Sequence, residues 1–208
     1  DRQGCYVAGS VGPTTKLPSL GHISVEELSS SLAEQIRALV EAGVDALAIE
    51  TCQDLLQVKT ALVACFEVLE ELDQNVPVLV SVTMERQGTM LVGSDIAAIC
   101  ATLEPFPIFS LGLNCATGPS DMASHIRYLS HNWPQRISCM PNQGLPEVVD
   151  GKTHYPMTPD DFVHHMAQFV EQDGVSVIGG CCGTTAEHIR QLAAACADLT
   201  PAAREVTI

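Results

Sequence analysis

The sequence is short of positive charge: 10 Lys and Arg stand against 25 Asp and Glu, a formal net charge of −15. That balance argues against nucleic acid or an anionic membrane as a partner, because both would repel it. No apolar run reaches the roughly 18–20 residues that a membrane-spanning helix needs. No positively charged start leads into an apolar stretch, so no export signal is expected. A starting Met is also lacking, which fits a segment cut from a longer polypeptide. No internal repeat, low-complexity stretch or hairpin signal stands out. What is there is a globular composition: 208 residues, 46% hydrophobic and 17% charged, enough for one sizeable core and too few for two large domains.

Nine cysteines is a high count for such a domain. Most of them fall inside apolar helix or strand patterns, which suits reduced, buried thiols in a cytoplasmic setting. Clustered cysteines then read as metal ligands before they read as disulfides.

Short apolar runs alternate with segments of helical period. Strands are expected at 6–11, 44–50, 77–83, 108–114, 136–140 and 175–180. Helices are expected at 24–42, 54–72, 95–103 and 120–130, from Thr158-Pro159-Asp160-Asp161 onward, and at 184–199. Ser24 with Glu27 forms a capping box for the first of them, and Thr184 with Glu187 opens the last. A long loop joins residue 144 to residue 158. Six strand–helix units imply an α/β fold with a parallel sheet and helices outside. Two architectures compete: an open doubly wound sheet, and a closed (β/α)8 TIM barrel of which two units would be missing. Residues 1–199 read as the barrel domain and 200–208 as a linker or tail.

In either architecture chemistry gathers at the C-terminal ends of the strands. Those ends carry Gly12, Glu50-Thr51, Thr83, Asn114-Cys115, Asn142 and Cys181-Cys182. Adjacent residues of a regular strand face opposite ways, but Gly179, Gly180 and Gly183 let the backbone turn so that both thiols aim inward. In a barrel Cys115, two strands earlier, shares their level, and Glu50 lies two strands further back on the same parity. Three thiolates around a zinc ion leave one tetrahedral position open, the pattern of a catalytic site. Other readings stay open. Each cysteine could be a small packing residue, the pair could form a strained vicinal disulfide, and Gly179-Gly180 could cradle a phosphate without any metal. His164, His165 and His188 read as surface, packing or capping residues. Cys65, Cys100 and Cys196 read as packing, Cys5 and Cys139 as structural, and Cys52 as the start of a helix.

At Gly112-Leu113-Asn114-Cys115 and Gly179-Gly180-Cys181-Cys182-Gly183-Thr184-Thr185 the chain resembles the homocysteine S-methyltransferase family. Val7 to Pro13, Ala48-Ile49-Glu50-Thr51 and Pro141-Asn142-Gln143-Gly144-Leu145-Pro146 also fit. The resemblance implies the (β/α)8 barrel, with Zn2+ on Cys115, Cys181 and Cys182 and homocysteine as substrate. It further implies that Glu50 helps hold the substrate's amino group, and that Asn114 shapes the site beside Cys115. Two βα units that open the family pattern have no counterpart, and Ala186 replaces a proline. Within the family, Asn114 to Pro119 and the Pro-Asn-Gln-Gly-Leu-Pro loop look most like the homocysteine-binding domain of the cobalamin-dependent methionine synthases. That branch implies methylcobalamin as methyl donor, with corrinoid- and folate-binding modules elsewhere in a longer protein or on another chain. The alternatives are betaine or S-methylmethionine as donor, a metal-free phosphate-binding barrel enzyme, or an inactive fragment that needs a partner.

Overall fold

The computed structural model describes residues 4–206. Its first half runs β1 (Ala8–Val11), α1 (Val25–Glu41), β2 (Ala46–Cys52), α2 (Leu55–Glu71), β3 (Val78–Val82) and α3 (Ile96–Leu103). Its second half runs β4 (Ser110–Asn114), α4 (Pro119–Asn132), β5 (Arg136–Met140), β6 (Glu147–Val149), β7 (Lys152–His154), α5 (Pro159–Asp173), β8 (Val177–Ile178) and α6 (Ala186–Cys196). Six strands pair in parallel in the order β1-β2-β3-β4-β5-β8. Among the described residues β1 and β8 form the two edges of this sheet and do not pair with each other.

The two faces of the sheet differ in chemistry. Leu47, Ile49, Val78, Val80, Val82, Leu111, Leu113, Ile137 and Cys139 alternate onto the helix side and are buried. A Cβ on Gly9 would lie 3.1 Å from the Leu39 side chain of α1, and Cys139 Sγ lies 3.9 Å from Met122 Sδ of α4. Each fully buried aliphatic side chain here contributes about 1.5–3 kcal/mol, which makes this layer the main source of stability. The opposite face carries Ser10, Ala48, Glu50, Ser81, Ser110, Gly112 and Ser138, with Leu79 among them, and is richer in small and polar residues.

Helix starts follow capping chemistry. Ser24 Oγ accepts from the Glu27 N–H at 3.1 Å, the serine half of the expected capping box. Asp54 is fully buried and accepts from the Leu56 N–H at 2.9 Å and from Ser19 N and Oγ at 2.8 and 2.7 Å, so it starts α2 and pins the connection between β1 and α1. The last helix begins one residue later than its sequence suggests. Thr185 is the N-cap and meets the His188 ring, because the Thr184 hydroxyl is already donated to the Cys181 carbonyl at 2.7 Å.

Two further expectations are corrected. Cys52 ends β2 and does not start α2, since β2 continues through an irregularity between Ile49 and Cys52. The connection after residue 144 contains an antiparallel hairpin, β6–β7, turned by Asp150 and Gly151 at φ 51° and 74°. Both left-handed values fit a two-residue type I′ turn, for which Asp-Gly is a preferred pair. In the tail, the Ala202 N–H reaches the Val170 carbonyl at 3.0 Å, and Arg204 donates to the carbonyls of Trp133 at 2.7 Å and of Gln135. Residues 202–204 therefore lie against the domain. No helix among the described residues is long and apolar enough to cross a membrane.

Candidate metal centre

At the end of β4 the chain turns through two consecutive left-handed residues, Cys115 at φ 61° and Ala116 at φ 57°. Neither is glycine, so each stores about 1–3 kcal/mol of strain that the surroundings must hold. After β8 the turn is made by glycines. Gly183 sits at φ 81°, and a Cβ on Gly180 would fall 2.5 Å from the Thr184 side chain. The end of β5 lies between these two segments and binds both. Met140 O accepts from Cys115 N at 3.2 Å, Pro141 O from Cys181 N at 2.8 Å, and Asn142 Oδ1 from Cys182 N at 3.1 Å. Three consecutive residues thus each take the N–H of one cysteine.

The outcome is a cluster of three thiols. Cys115 Sγ lies 3.8 Å from Cys182 Sγ, Cys181 Sγ lies 4.0 Å from Cys182 Sγ, and all three fall within 4.8 Å of one another. Zinc–sulfur bonds of about 2.3 Å in a tetrahedron require sulfurs roughly 3.8 Å apart. The donor set and its spacing therefore fit a zinc ion, with a fourth corner left over.

Electrostatics separate Cys115 from the packing thiols. Cys115 is pushed down to about 5, chiefly because the Cys181 thiol hydrogen-bonds to its sulfur, with help from the Ala116 N–H, Cys182 and the Asn142 side chain against the effect of burial. Cys181 is pushed up, because it donates that bond and is partly buried. Cys52 and Cys65 are pushed up to about 12 and Cys100 to about 11, mainly by burial, so these thiols keep their protons.

Glu50 stands on β2, its Oε1 accepting from the Ser10 hydroxyl of β1 at 2.6 Å. Asn114 is only 2% exposed, and its carboxamide is occupied by the neighbouring strand end. Its Oδ1 accepts from Thr51 N at 2.9 Å and its Nδ2 donates to Thr51 Oγ1 at 2.7 Å. These two bonds hold Thr51 at φ 61°, next to Glu50. His188 caps α6 and meets the Phe162 ring edge-on at 5.6 Å, while His165 faces Ser120 and His164 faces Gln168.

Three further residues had no role assigned from sequence. Asn142 supports Cys182, and its Pro-Asn-Gln-Gly context at a strand end was the available signal. Tyr155 follows β7 and lies over Gly183, where a Cβ would be 2.5 Å from its ring; burial, and after it the neighbouring Cys182, push its phenol up. Ser10, the partner of Glu50, had no signal beyond its place on β1.

Comparison with known proteins agrees with this geometry. The sequence pattern of the family described as homocysteine S-methyltransferase matches residues 1–196. The methionine synthase of Mycobacterium leprae is 45% identical over 192 residues, which is 92% of this chain and 16% of that protein. The methionine synthase of Mycobacterium tuberculosis is 43% identical over 202 residues, 97% of this chain and 17% of that protein. The chain thus spans about a sixth of the length of these curated relatives. In structure it resembles the metallated form of the homocysteine methyltransferase MmuM from Escherichia coli, with a TM-score of 0.71 and 25% identity, covering 91% of this chain and 60% of that one. The open six-stranded sheet is accordingly an incomplete (β/α)8 barrel, with its cysteines at the C-terminal face where barrels carry their chemistry.

Proposed function

We propose the following activity for this chain, which belongs to the homocysteine S-methyltransferase family: it holds homocysteine as a thiolate on a zinc site and lets its sulfur take a methyl group, giving methionine. The observation that carries this reading is the spacing of three thiols from two distant strand ends at the edge length of a zinc tetrahedron. When bound, zinc supplies a Lewis acid that makes the thiolate of a coordinated substrate the dominant form at neutral pH.

The chain's own residues supply the rest. Cys115, Cys181 and Cys182 are the proposed zinc ligands, and their three negative charges keep a neighbouring substrate sulfur rich in electrons. Asn142 fixes the Cys182 backbone through its Oδ1, while the carbonyls of Met140 and Pro141 hold the N–H groups of Cys115 and Cys181, so this run orients the three ligands. Glu50 accepts the ammonium group of the substrate. Asn114 shapes the site through Thr51, whose turn sets where Glu50 stands.

The proposed donor is methylcobalamin, presented by corrinoid- and folate-binding modules of a longer protein or another chain. Support for this branch comes from the two mycobacterial methionine synthases, at 45% and 43% identity, against 25% for the Escherichia coli homocysteine methyltransferase. Nine thiols, none of them in a disulfide, suit a cytoplasmic setting. The test is metal stoichiometry by elemental analysis on the purified chain and on Cys115→Ala, Cys181→Ala and Cys182→Ala. One zinc per chain is expected in the parent and none in the variants. A variant that keeps stoichiometric zinc ends the triad assignment. Offering homocysteine with methylcobalamin, betaine or S-methylmethionine then separates the donors.

A further inference from the structure

The Ser10 hydroxyl donates to Glu50 Oε1 at 2.6 Å, between neighbouring strands. Ser10 pairs in register with Ala48, so Glu50 stands two residues further along on the same face of β2. Ser10 is itself anchored, because its carbonyl accepts from the Gln35 side chain of α1 at 3.2 Å. On the other side Glu50 is followed by Thr51, held in a left-handed turn by both atoms of the Asn114 carboxamide. The carboxylate is thus fixed from its flank by β1 and from its backbone by β4. One carboxylate oxygen is engaged, and among the described residues the second has no hydrogen-bond donor.

From this arrangement we propose that Ser10 is a positioning residue that sets the Glu50 carboxylate for the ammonium group of an amino-thiol substrate, and so makes the site select amino thiols over plain thiols. The inference rests on the assignment of Glu50 given above. Its physical basis is preorganisation. A glutamate side chain on a strand end samples several rotamers, and binding must otherwise freeze them in each complex. A hydroxyl bond to one oxygen restricts that freedom before substrate arrives, and it aims the other oxygen. The effect reaches the amino end of the substrate and leaves the sulfur end to the cysteines.

The test uses calorimetric titration of the zinc-loaded chain with homocysteine and with 4-mercaptobutyrate, which has the same thiol and carboxylate but no amino group. Ser10→Ala is expected to weaken homocysteine by about 5- to 15-fold, the worth of one charge-assisted hydrogen bond at a partly exposed site. It leaves 4-mercaptobutyrate and zinc content unchanged. Ser10→Thr keeps the hydroxyl and restores homocysteine affinity. In a Glu50→Gln background Ser10→Ala has a much smaller effect, since the two act as one unit. If Glu50→Gln selectively weakens homocysteine while Ser10→Ala does not, the role of Ser10 is refuted and that of Glu50 stands. If Glu50→Gln weakens neither thiol, or the parent binds both equally, the Glu50 assignment fails and this inference with it. A Ser10→Ala variant that weakens both thiols alike also overturns it, because the loss is then structural.

Discussion

Replacing Asn114 with alanine tests how the two halves of the site are held together. The carboxamide makes two hydrogen bonds to Thr51, at 2.9 and 2.7 Å, and is 98% buried by its neighbours, being 2% exposed. Each bond contributes about 1 kcal/mol net, and the Thr51 N–H left behind in a half-buried turn adds about 1–2 kcal/mol more. The expected loss is therefore about 3–4 kcal/mol, a large part of the 5–15 kcal/mol typical of a whole domain. It is read from urea denaturation as a lower midpoint with an unchanged slope. Thr51→Gly provides the matching half of a double-mutant cycle. Glycine adopts the φ of 61° without strain, so less is needed to hold residue 51 in place. In that background Asn114→Ala should lose about 1 kcal/mol less than it does alone. Zinc affinity, read by chelator competition, should fall in Asn114→Ala as well, since Cys115 is the next residue. A loss under about 0.5 kcal/mol, or one undiminished in the Thr51→Gly background, refutes the claim that this carboxamide braces the turn.

Gly118→Ala should destabilise the chain by about 1–3 kcal/mol, because there is no space for the added methyl. Its Cβ would stand 2.7 Å from the Gly144 Cα, backbone against side chain, and an unchanged denaturation midpoint would disprove the close approach. Alkaline pH should destabilise the fold through its buried thiols, since Cys52 and Cys65 are raised to about 12 and the folded state holds their protons longer than the unfolded one. Stability is then full below the unfolded thiol range and falls above about pH 9, by up to about 1.4 kcal/mol per pH unit for each thiol; reductant-protected denaturation that is as stable at pH 10 as at pH 7.5 would contradict this.

Much of the sheet was legible because period carries it. Strand β5 matches its expected range, and β4 and β3 differ only by a few residues at their starts and ends. The edges were harder. The run expected from residue 6 begins as a strand only at Ala8, where β2 first offers a register partner, and Tyr6 is left 85% exposed. Strand β8 shrinks to Val177–Ile178 because it has one neighbour and gives way to two glycines. The hairpin β6–β7 escaped for a different reason. All six of its strand residues are exposed, so no burial pattern imposes an alternation, and only the Asp150-Gly151 pair betrays it.

The site divides along the same line. Residue type and strand-end position point to Cys115, Cys181 and Cys182, because few side chains other than thiols can gather around a soft cation. How they are held could not be read from those cysteines. Cys115 and Ala116 adopt left-handed backbone without a glycine to announce it. Their support is the run Met140-Pro141-Asn142, which accepts one N–H from each cysteine. Met140 and Pro141 offer only their carbonyls for this, and any residue has a carbonyl, so their contribution leaves no mark in the sequence. Asn142 is different, because its acceptor is a side chain placed where the strand has ended and no further carbonyl is in register. A short polar side chain is required there to reach the third N–H. The asparagine at the end of the middle strand is therefore the one part of the scaffold that chemistry, and not backbone geometry alone, obliges the sequence to specify.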